Sequence, residues 1–243
     1  EKFDPTDQMQ RYLKWFHEGH LSSNGNCFDI GNTVQTALKK FQLTKEPYCG
    51  SEDPSTAGNG SLMRLAPIPL VYANNQKVAI EKAAQSSRTT HGAENCIDAC
   101  RYMTILMLRA LKGKSKEVIL NDIPLTNLEI LDQKPLAPKV AEIASGSYKR
   151  KEPPDIKGTG YVVKSLEASL WAFYKSETFE EGALMAVNLG DDADTTGAIY
   201  GQLAGAYYGE EEIPTKWKEN LAYKGLIIRF AEQLFVLKDR IRA

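Results

Sequence analysis

Residues 188–206 read NLGDDADTTGAIYGQLAGA, and the other segments of the chain can be understood in relation to this stretch. Three carboxylates and two hydroxyls fall within residues 191–196, directly ahead of a helical run in which Gly197, Gly201 and Gly205 recur every fourth residue. That recurrence leaves one helix face without side chains, which lets neighbouring backbones come close. The stretch therefore predicts a buried central helix with an acidic cluster at its start.

The acidic cluster has two possible explanations. Asp and Thr side chains favour helix N-termini, where they cap backbone N–H groups and complement the positive helix end. Carboxylates held close together also bind hard cations, and the Asp-x-Asp-Thr order of residues 192–195 supplies three oxygen donors. Capping accounts for one or two of these residues but not for three acids ahead of a glycine-faced helix, so the sequence favours metal binding.

The composition predicts one globular domain, residues 1–243, with 42% hydrophobic and 25% charged residues. A net charge of -1 gives no electrostatic footprint for nucleic acid or for an anionic membrane. No apolar run is long enough to span a bilayer and no signal-peptide pattern opens the chain, which predicts a cytoplasmic protein. The cysteines have no CxxC spacing and do not make a disulfide-dense scaffold: Cys27, Cys49, Cys96 and Cys100. Cys96 and Cys100 lie four residues apart on a predicted helix face and are predicted to be buried and reduced.

Hydrophobic periodicity predicts helices along most of the chain and no series of strands, so the predicted fold is all-α with many helices. The Asp4-Pro5 pair marks the first helix start, Gly19 its end, and Thr178 the start of a later helix. The proline-rich, polar residues 113–157 are predicted to form a long connection. Further helices are predicted at residues 34–41, 66–71, 77–87, 94–112, 162–173 and 226–237.

Three loops carry candidate ligand-binding residues. Asp29, followed by Gly31 and Asn32, fits either a helix cap or a ligand contact. Residues 58–60 read Gly-Asn-Gly ahead of a helix predicted to start near residue 61, which fits a phosphate cradle at a positive helix end or an ordinary turn. His91 lies in a polar interhelical loop, where both a structural and a functional role remain open.

Five segments in order resemble the ADP-ribosylglycohydrolases, and most closely the bacterial dinitrogenase reductase-activating glycohydrolase type. Each segment alone is a weak signal, but together they run over nearly the whole chain. They are FDIGNT at 28–33, GNGSLMR at 58–64, TH at 90–91, GYVV at 160–163 with LEA at 166–168, and residues 190–209.

The resemblance implies a compact multi-helix fold with a dinuclear Mg²⁺ or Mn²⁺ centre. The implied reaction removes ADP-ribose from modified protein side chains, which in this branch is typically N-linked arginine. Asp191 stands where the family often has glycine and is treated as a neighbour of the site. The implied roles are metal ligands at Asp192, Asp194 and Thr195; catalysis by Asp192 and by Asp29, which faces the scissile bond or the leaving guanidinium; a pyrophosphate cradle at Gly58, Asn59, Gly60, Ser61 and Met63; ADP-ribose contact by His91; and the adenosine end at Tyr161.

One departure from the family pattern changes these expectations. The family also carries an N-terminal Thr-Asp-Asp metal motif with an upstream acidic residue, and this sequence has neither. We therefore expect an N-terminally truncated domain that binds metal weakly, hydrolyses little and exposes apolar faces suited to a homodimer. Two alternatives stay open: a non-catalytic ADP-ribose-binding or crystallin-like structural protein, and a hydrolase of another linkage, serine-linked or in O-acetyl-ADP-ribose.

Overall fold

The structure, a computed structural model, describes residues 3–121 and 134–240. These residues form twelve α-helices and no strand, as the sequence predicts, with isolated backbone bridges at Ser51–His91 and Gly58–Tyr161. No described helix is long and apolar enough to cross a membrane. The helices are Pro5–Glu18 (α1), Asn32–Thr44 (α2), Pro67–Val71 (α3), Gln76–Arg88 (α4), Glu94–Leu111 (α5), Lys116–Leu120 (α6), Pro138–Ala144 (α7), Val162–Lys175 (α8), Phe179–Val187 (α9), Ala193–Tyr208 (α10), Thr215–Glu219 (α11) and Lys224–Arg240 (α12).

Helix ends follow the predicted local signals. Asp4 Oδ1 accepts from the Thr6 N–H at 2.8 Å at the start of α1, and Gly19 ends that helix with a φ of 64°. Thr178 Oγ1 accepts from the Glu181 N–H at 3.1 Å and so caps α9. Side-chain oxygens and a left-handed glycine satisfy backbone groups that the helix itself leaves unpaired.

The main core is built around α5, which packs against α4, α8 and α10. Buried α5 residues such as Met103 and Leu106 meet Leu166 and Phe173 of α8 in this core. A second, smaller core joins α1 and α2 through Met9. Helix α5 also contains a buried ion pair between two of its own residues, three positions apart. Arg101 Nη1 donates to Asp98 Oδ1 at 2.7 Å.

The burial predicted for the glycine face of α10 is wrong. A Cβ atom added at Gly201 or Gly205 would meet no atom within 4 Å, although one at Gly197 would lie 2.8 Å from Val187. The buried face of α10 instead carries large side chains, including Ile199 and Tyr200. Burial follows the side chains that can fill the core, and the glycines leave the other face open.

The long connection predicted at residues 113–157 is interrupted by structure. It contains α6, α7 and a 3₁₀ turn at Ser147–Arg150, and residues 122–133 lie outside the described part. The closing helix α12 is amphipathic, since Leu234 and Leu237 pack on the main core. Other large apolar side chains of this helix are exposed: Ile227, Ile228, Phe230, Phe235 and Val236.

Candidate functional site

Asp192 is the meeting point of three segments that are distant in sequence. Its Oδ2 accepts from Asn59 Nδ2 at 2.7 Å, and its backbone N–H donates to the Gly158 carbonyl at 2.8 Å. The Asn59 backbone N–H donates in turn to the Gly160 carbonyl at 3.1 Å. Although Asp192 occupies the N-cap position of α10, its side chain makes no capping bond. The capping interpretation is therefore wrong for Asp192, whose carboxylate faces the 58–61 loop.

We call residues 58–61 together with Tyr161 the cradle. Gly58 and Tyr161 pair in an antiparallel bridge, beside which the Val162 N–H donates to the Ala57 carbonyl at 3.0 Å. Tyr161 is half-buried, and its hydroxyl accepts from Asn95 Nδ2 at 3.3 Å. This arrangement leaves a tyrosine ring at one end of a glycine loop, with Asp192 beside the loop.

The helix predicted to start near Ser61 does not form. Residues 61–64 are turns, and the next helix, α3, begins at Pro67. In an α-helix the Gly60 carbonyl would accept from the Arg64 backbone N–H. Here it accepts instead from the Arg64 side chain, whose Nη1 lies 2.9 Å away. Pro67 and Pro69 also lack the N–H groups needed to extend a hydrogen-bond ladder back to the loop.

The four backbone N–H groups of residues 58–61 differ in their hydrogen-bond partners. The Gly58 N–H donates to the Thr56 carbonyl and the Asn59 N–H to that of Gly160, so these two are occupied. Within the described residues, the N–H groups of Gly60 and Ser61 have no hydrogen-bond partner. Neighbouring free N–H groups in a glycine loop form an anion-binding concavity without needing a helix terminus.

His91 lies directly beneath the glycines of the cradle. A Cβ atom at Gly58 would lie 3.4 Å from His91 Nε2, and one at Gly60 would lie 2.9 Å from His91 Cε1. The histidine is 2% exposed, and burial, together with the nearby Arg64 charge, lowers its pKa to about 3. Its imidazole is therefore neutral at physiological pH.

The predicted pair of buried cysteines lies under the same loop. Cys96 Sγ donates to the Gly58 carbonyl at 3.3 Å, and Cys100 Sγ approaches Ser61 Oγ at 3.6 Å. Burial raises the pKa of Cys96 to about 12 and that of Cys100 to about 11. Both thiols are therefore protonated packing groups and not nucleophiles.

Asp29 and Met63 line a neighbouring cavity of about 430 Å³ that shares Gly60 with the cradle. The capping interpretation of Asp29 is wrong, because the N-cap of α2 is Gly31 and no side chain bonds there. Asp29 is exposed, has a φ of 49° and makes no hydrogen bond to a described residue. Tyr12 and Trp15 of α1 also line this cavity. The structure thus brings together all the predicted cradle residues except Met63, which lies with Asp29 beside them.

The predicted metal ligands lie at the start of α10, where Asp194 is exposed and Thr195 is 8% exposed. Residues 3–121 and 134–240 contain no group of three His, Cys, Asp or Glu side chains that could hold a metal ion. Mg²⁺ takes six oxygen ligands and usually keeps several waters among them, so Asp192, Asp194 and Thr195 would supply only some of the six. The donor chemistry fits part of a hard-cation site and does not complete one.

The sequence includes Arg64 and Thr90 in its motifs but predicts no role for either side chain. Arg64 Nη2 donates to Thr90 Oγ1 at 2.9 Å, and Thr90 Oγ1 lies 2.8 Å from His91 Nδ1. The sequence also predicts no role for Tyr12 and Trp15. The one available signal for Arg64 was an arginine inside an otherwise apolar run, because a partly buried guanidinium needs several acceptors.

An all-helical chain in which a glycine loop packs on a neutral histidine and is hydrogen-bonded to an aspartate has the features of an anion-binding or nucleotide-binding protein. The ADP-ribosylglycohydrolase family model matches residues 1–242, and the chain belongs to this family. It is 37% identical over 234 residues to the ADP-ribosylarginine hydrolase Tri1 of Pseudomonas putida, with 96% of the chain covered. It is 26% identical over 199 residues to the ADP-ribosyl-[dinitrogen reductase] glycohydrolase of Rhodospirillum rubrum, with 81% of the chain covered.

A solved structure titled ADP-ribosylglycohydrolase-related protein complex is also similar to this chain. The TM-score is 0.82 at 40% identity, over 97% of this chain and 75% of that one. The chain spans 61% of the length of each of the two relatives above. These comparisons confirm the family and the all-α fold that the sequence predicts.

Proposed function

We propose that the protein containing this chain removes ADP-ribose from N-linked ADP-ribosyl-arginine in proteins. The observation that carries the proposal is the meeting of the glycine loop, His91, Tyr161 and Asp192 around one cradle. The similarity to a protein named ADP-ribosylarginine hydrolase supports the arginine linkage.

In this proposal the chain's own residues bind and orient the substrate. The free N–H groups of Gly60 and Ser61 hold the pyrophosphate, since backbone dipoles favour phosphate oxygens. Tyr161 packs on the adenosine end, because an aromatic ring provides a stacking surface for a base. The Asn59 bond to Asp192 Oδ2 fixes the carboxylate and leaves its second oxygen available. A fixed carboxylate close to the anomeric carbon stabilises an oxocarbenium-like transition state.

The proposal places the arginine side of the substrate in the cavity beside the cradle, whose lining also includes Arg11 and Arg64. Asp29 presents an unpaired carboxylate at the cavity that Tyr12 and Trp15 also line. A guanidinium binds carboxylates through paired hydrogen bonds and stacks on aromatic faces. In this proposal the shared Gly60 marks the passage between the ADP-ribose and the arginine, and Asp29 faces the leaving guanidinium.

We also propose that Asp192, Asp194 and Thr195 are this chain's contribution to a Mg²⁺ or Mn²⁺ site. Such a cation, when bound, lowers the pKa of a water and orients it for attack. A Mn²⁺ titration followed by electron paramagnetic resonance tests this assignment without any measurement of activity. Asp194→Asn is expected to weaken Mn²⁺ binding, whereas equal affinity in both proteins would contradict the assignment.

The test of function is the release of ADP-ribose from an ADP-ribosyl-arginine peptide with added Mg²⁺ or Mn²⁺. Because second-shell changes at metal sites already cost about 10- to 100-fold, Asp192→Asn and Asp194→Asn are expected to lower release more than about 100-fold. Asp191→Asn is the matched control, since Asn tolerates the φ of 55° at that position and Asp191 has no assigned role. Equal release by all three variants would contradict the proposal.

A second candidate is a non-catalytic ADP-ribose-binding protein, which the incomplete donor set of the described residues favours. ADP-ribose binding without release from any peptide would select this candidate. Release from an ADP-ribosyl-serine peptide or from O-acetyl-ADP-ribose, but not from the arginine peptide, would select another linkage.

A further inference from the structure

The Arg64 guanidinium joins three parts of the molecule beneath the cradle. Its Nε donates to the Tyr12 hydroxyl of α1 at 2.5 Å, and its Nη1 to the Gly60 carbonyl of the cradle at 2.9 Å. Its Nη2 donates to Thr90 Oγ1 at 2.9 Å, just beyond the end of α4. Since a guanidinium can only donate, every one of these contacts fixes its partner as an acceptor.

The contact with Thr90 determines where the hydroxyl hydrogen of Thr90 points. Thr90 is 1% exposed, so water cannot readily accept that hydrogen. Among the described residues, the acceptor within reach of Thr90 Oγ1 is His91 Nδ1, at 2.8 Å. If His91 Nδ1 carried a hydrogen instead, the Thr90 oxygen would face two donors and its own hydrogen would remain buried without an acceptor.

We propose that Arg64 and Thr90 are positioning residues that hold His91 in the tautomer with its hydrogen on Nε2. His91 then presents a neutral N–H donor upward to the cradle. The order of donation is from the Arg64 guanidinium to the Thr90 hydroxyl, and from the Thr90 hydroxyl to His91 Nδ1.

The surroundings of His91 agree with this assignment. The His91 backbone is fixed on both sides, because its N–H donates to the Ser87 carbonyl at 2.7 Å and its carbonyl accepts from Ser87 Oγ at 2.9 Å. Nε2 has no hydrogen-bond partner among the described residues and lies next to the position where Gly58 lacks a side chain. A second hydrogen on the ring is disfavoured, because burial and the Arg64 charge lower the pKa of His91.

This arrangement gives the cradle a third donor beside the free N–H groups of Gly60 and Ser61. A neutral Nε2–H donor suits a ribose hydroxyl or a phosphate oxygen and places no second full charge next to Arg64. His91 in the other tautomer would instead offer an acceptor, which a phosphate oxygen cannot bind. Arg64 thus determines the hydrogen-bonding character of a cradle that it contacts directly only through the Gly60 carbonyl.

Proton–nitrogen correlation spectra of this chain, with isotopically labelled histidine, test the tautomer directly. The chain has three histidines, and His17→Gln and His20→Gln identify the other two. The expected spectrum shows His91 with hydrogen on Nε2 and none on Nδ1. Hydrogen on Nδ1 in the unsubstituted chain would overturn the proposal, and this measurement requires no change to the network.

The roles of Thr90 and Arg64 are tested by three variants. Thr90→Val removes the hydroxyl at similar volume and is expected to mix the two His91 tautomers, whereas Thr90→Ser retains the hydroxyl and the original tautomer. Arg64→Met removes the donors and is also expected to mix the tautomers. A spectrum unchanged by Thr90→Val would overturn the role of Thr90, and one unchanged by Arg64→Met would overturn that of Arg64.

The affinity for ADP-ribose provides a second measurement, which rests on the proposed function because it assumes that ADP-ribose occupies the cradle. Losing a hydrogen bond to a charged group predicts about a tenfold weaker affinity in Thr90→Val, with Thr90→Ser close to the unsubstituted chain. If the spectra show the expected tautomer but ADP-ribose does not bind, the positioning role is supported and the proposed function is contradicted.

Discussion

Asp192 and His91 lie against the glycine loop of the cradle from distant parts of the chain. The sequence placed Asp192 at a helix start, where capping is the common role, but its carboxylate contacts Asn59, which lies 133 positions away. His91 remained open between structural and functional roles until its ring was seen beneath Gly58 and Gly60. The residues that take part in the site could be predicted from the sequence, but their contact partners depend on tertiary packing.

The lowered pKa of His91 predicts a pH-dependent contribution to stability. The pKa falls from 6.5 in the unfolded chain to about 3 in the folded protein, so the unfolded state binds more protons between these values. The contribution of neutral His91 is complete above the unfolded pKa and is lost as the pH falls towards the folded one. From about pH 6.5 to about pH 5, the chain should lose about 2 kcal/mol more unfolding free energy than His91→Gln. Denaturant unfolding measures this difference, and parallel stability curves would contradict it.

At the scale of elements, the positions of helix ends were predicted better than the helix face that is buried in the core. Asp4, Gly19 and Thr178 act through local backbone geometry, which short sequence patterns encode. The open glycine face of α10 and the absence of a helix at Ser61 depend on neighbouring segments that such patterns do not contain. The 58–61 loop of the cradle is therefore held in place by the Arg64 side chain and by the bridge between Gly58 and Tyr161.

The cradle loop predicts different tolerances for its two glycines. Gly60→Ala would place a Cβ atom 2.9 Å from His91 Cε1, and a buried clash of this kind costs about 1–3 kcal/mol. Gly58→Ala is the matched control, because its Cβ would lie 3.4 Å from His91 Nε2, and its cost should stay below about 1 kcal/mol. Thermal unfolding of both variants measures the difference. Equal destabilisation would show that His91 does not pack against Gly60 as described.

For the whole molecule, the all-α class was predictable because helical periodicity runs along most of the chain. The site was only partly predictable, since it joins the 58–61 loop, His91, Tyr161 and Asp192 across the main core. The cavity with Tyr12, Trp15 and Asp29 depends on how α1 and α2 pack, and no sequence motif indicates it. A single domain, a homodimer and a cytoplasmic location stay predictions.

The central claim is that the cradle binds ADP-ribose, and calorimetric titration of this chain with ADP-ribose tests it most directly. The account predicts saturable binding that Tyr161→Phe retains, because the ring remains. Tyr161→Ala should weaken binding by about tenfold or more, since stacking on a base contributes about 1–3 kcal/mol. Absence of binding, or equal affinity in Tyr161→Ala and Tyr161→Phe, would contradict the claim.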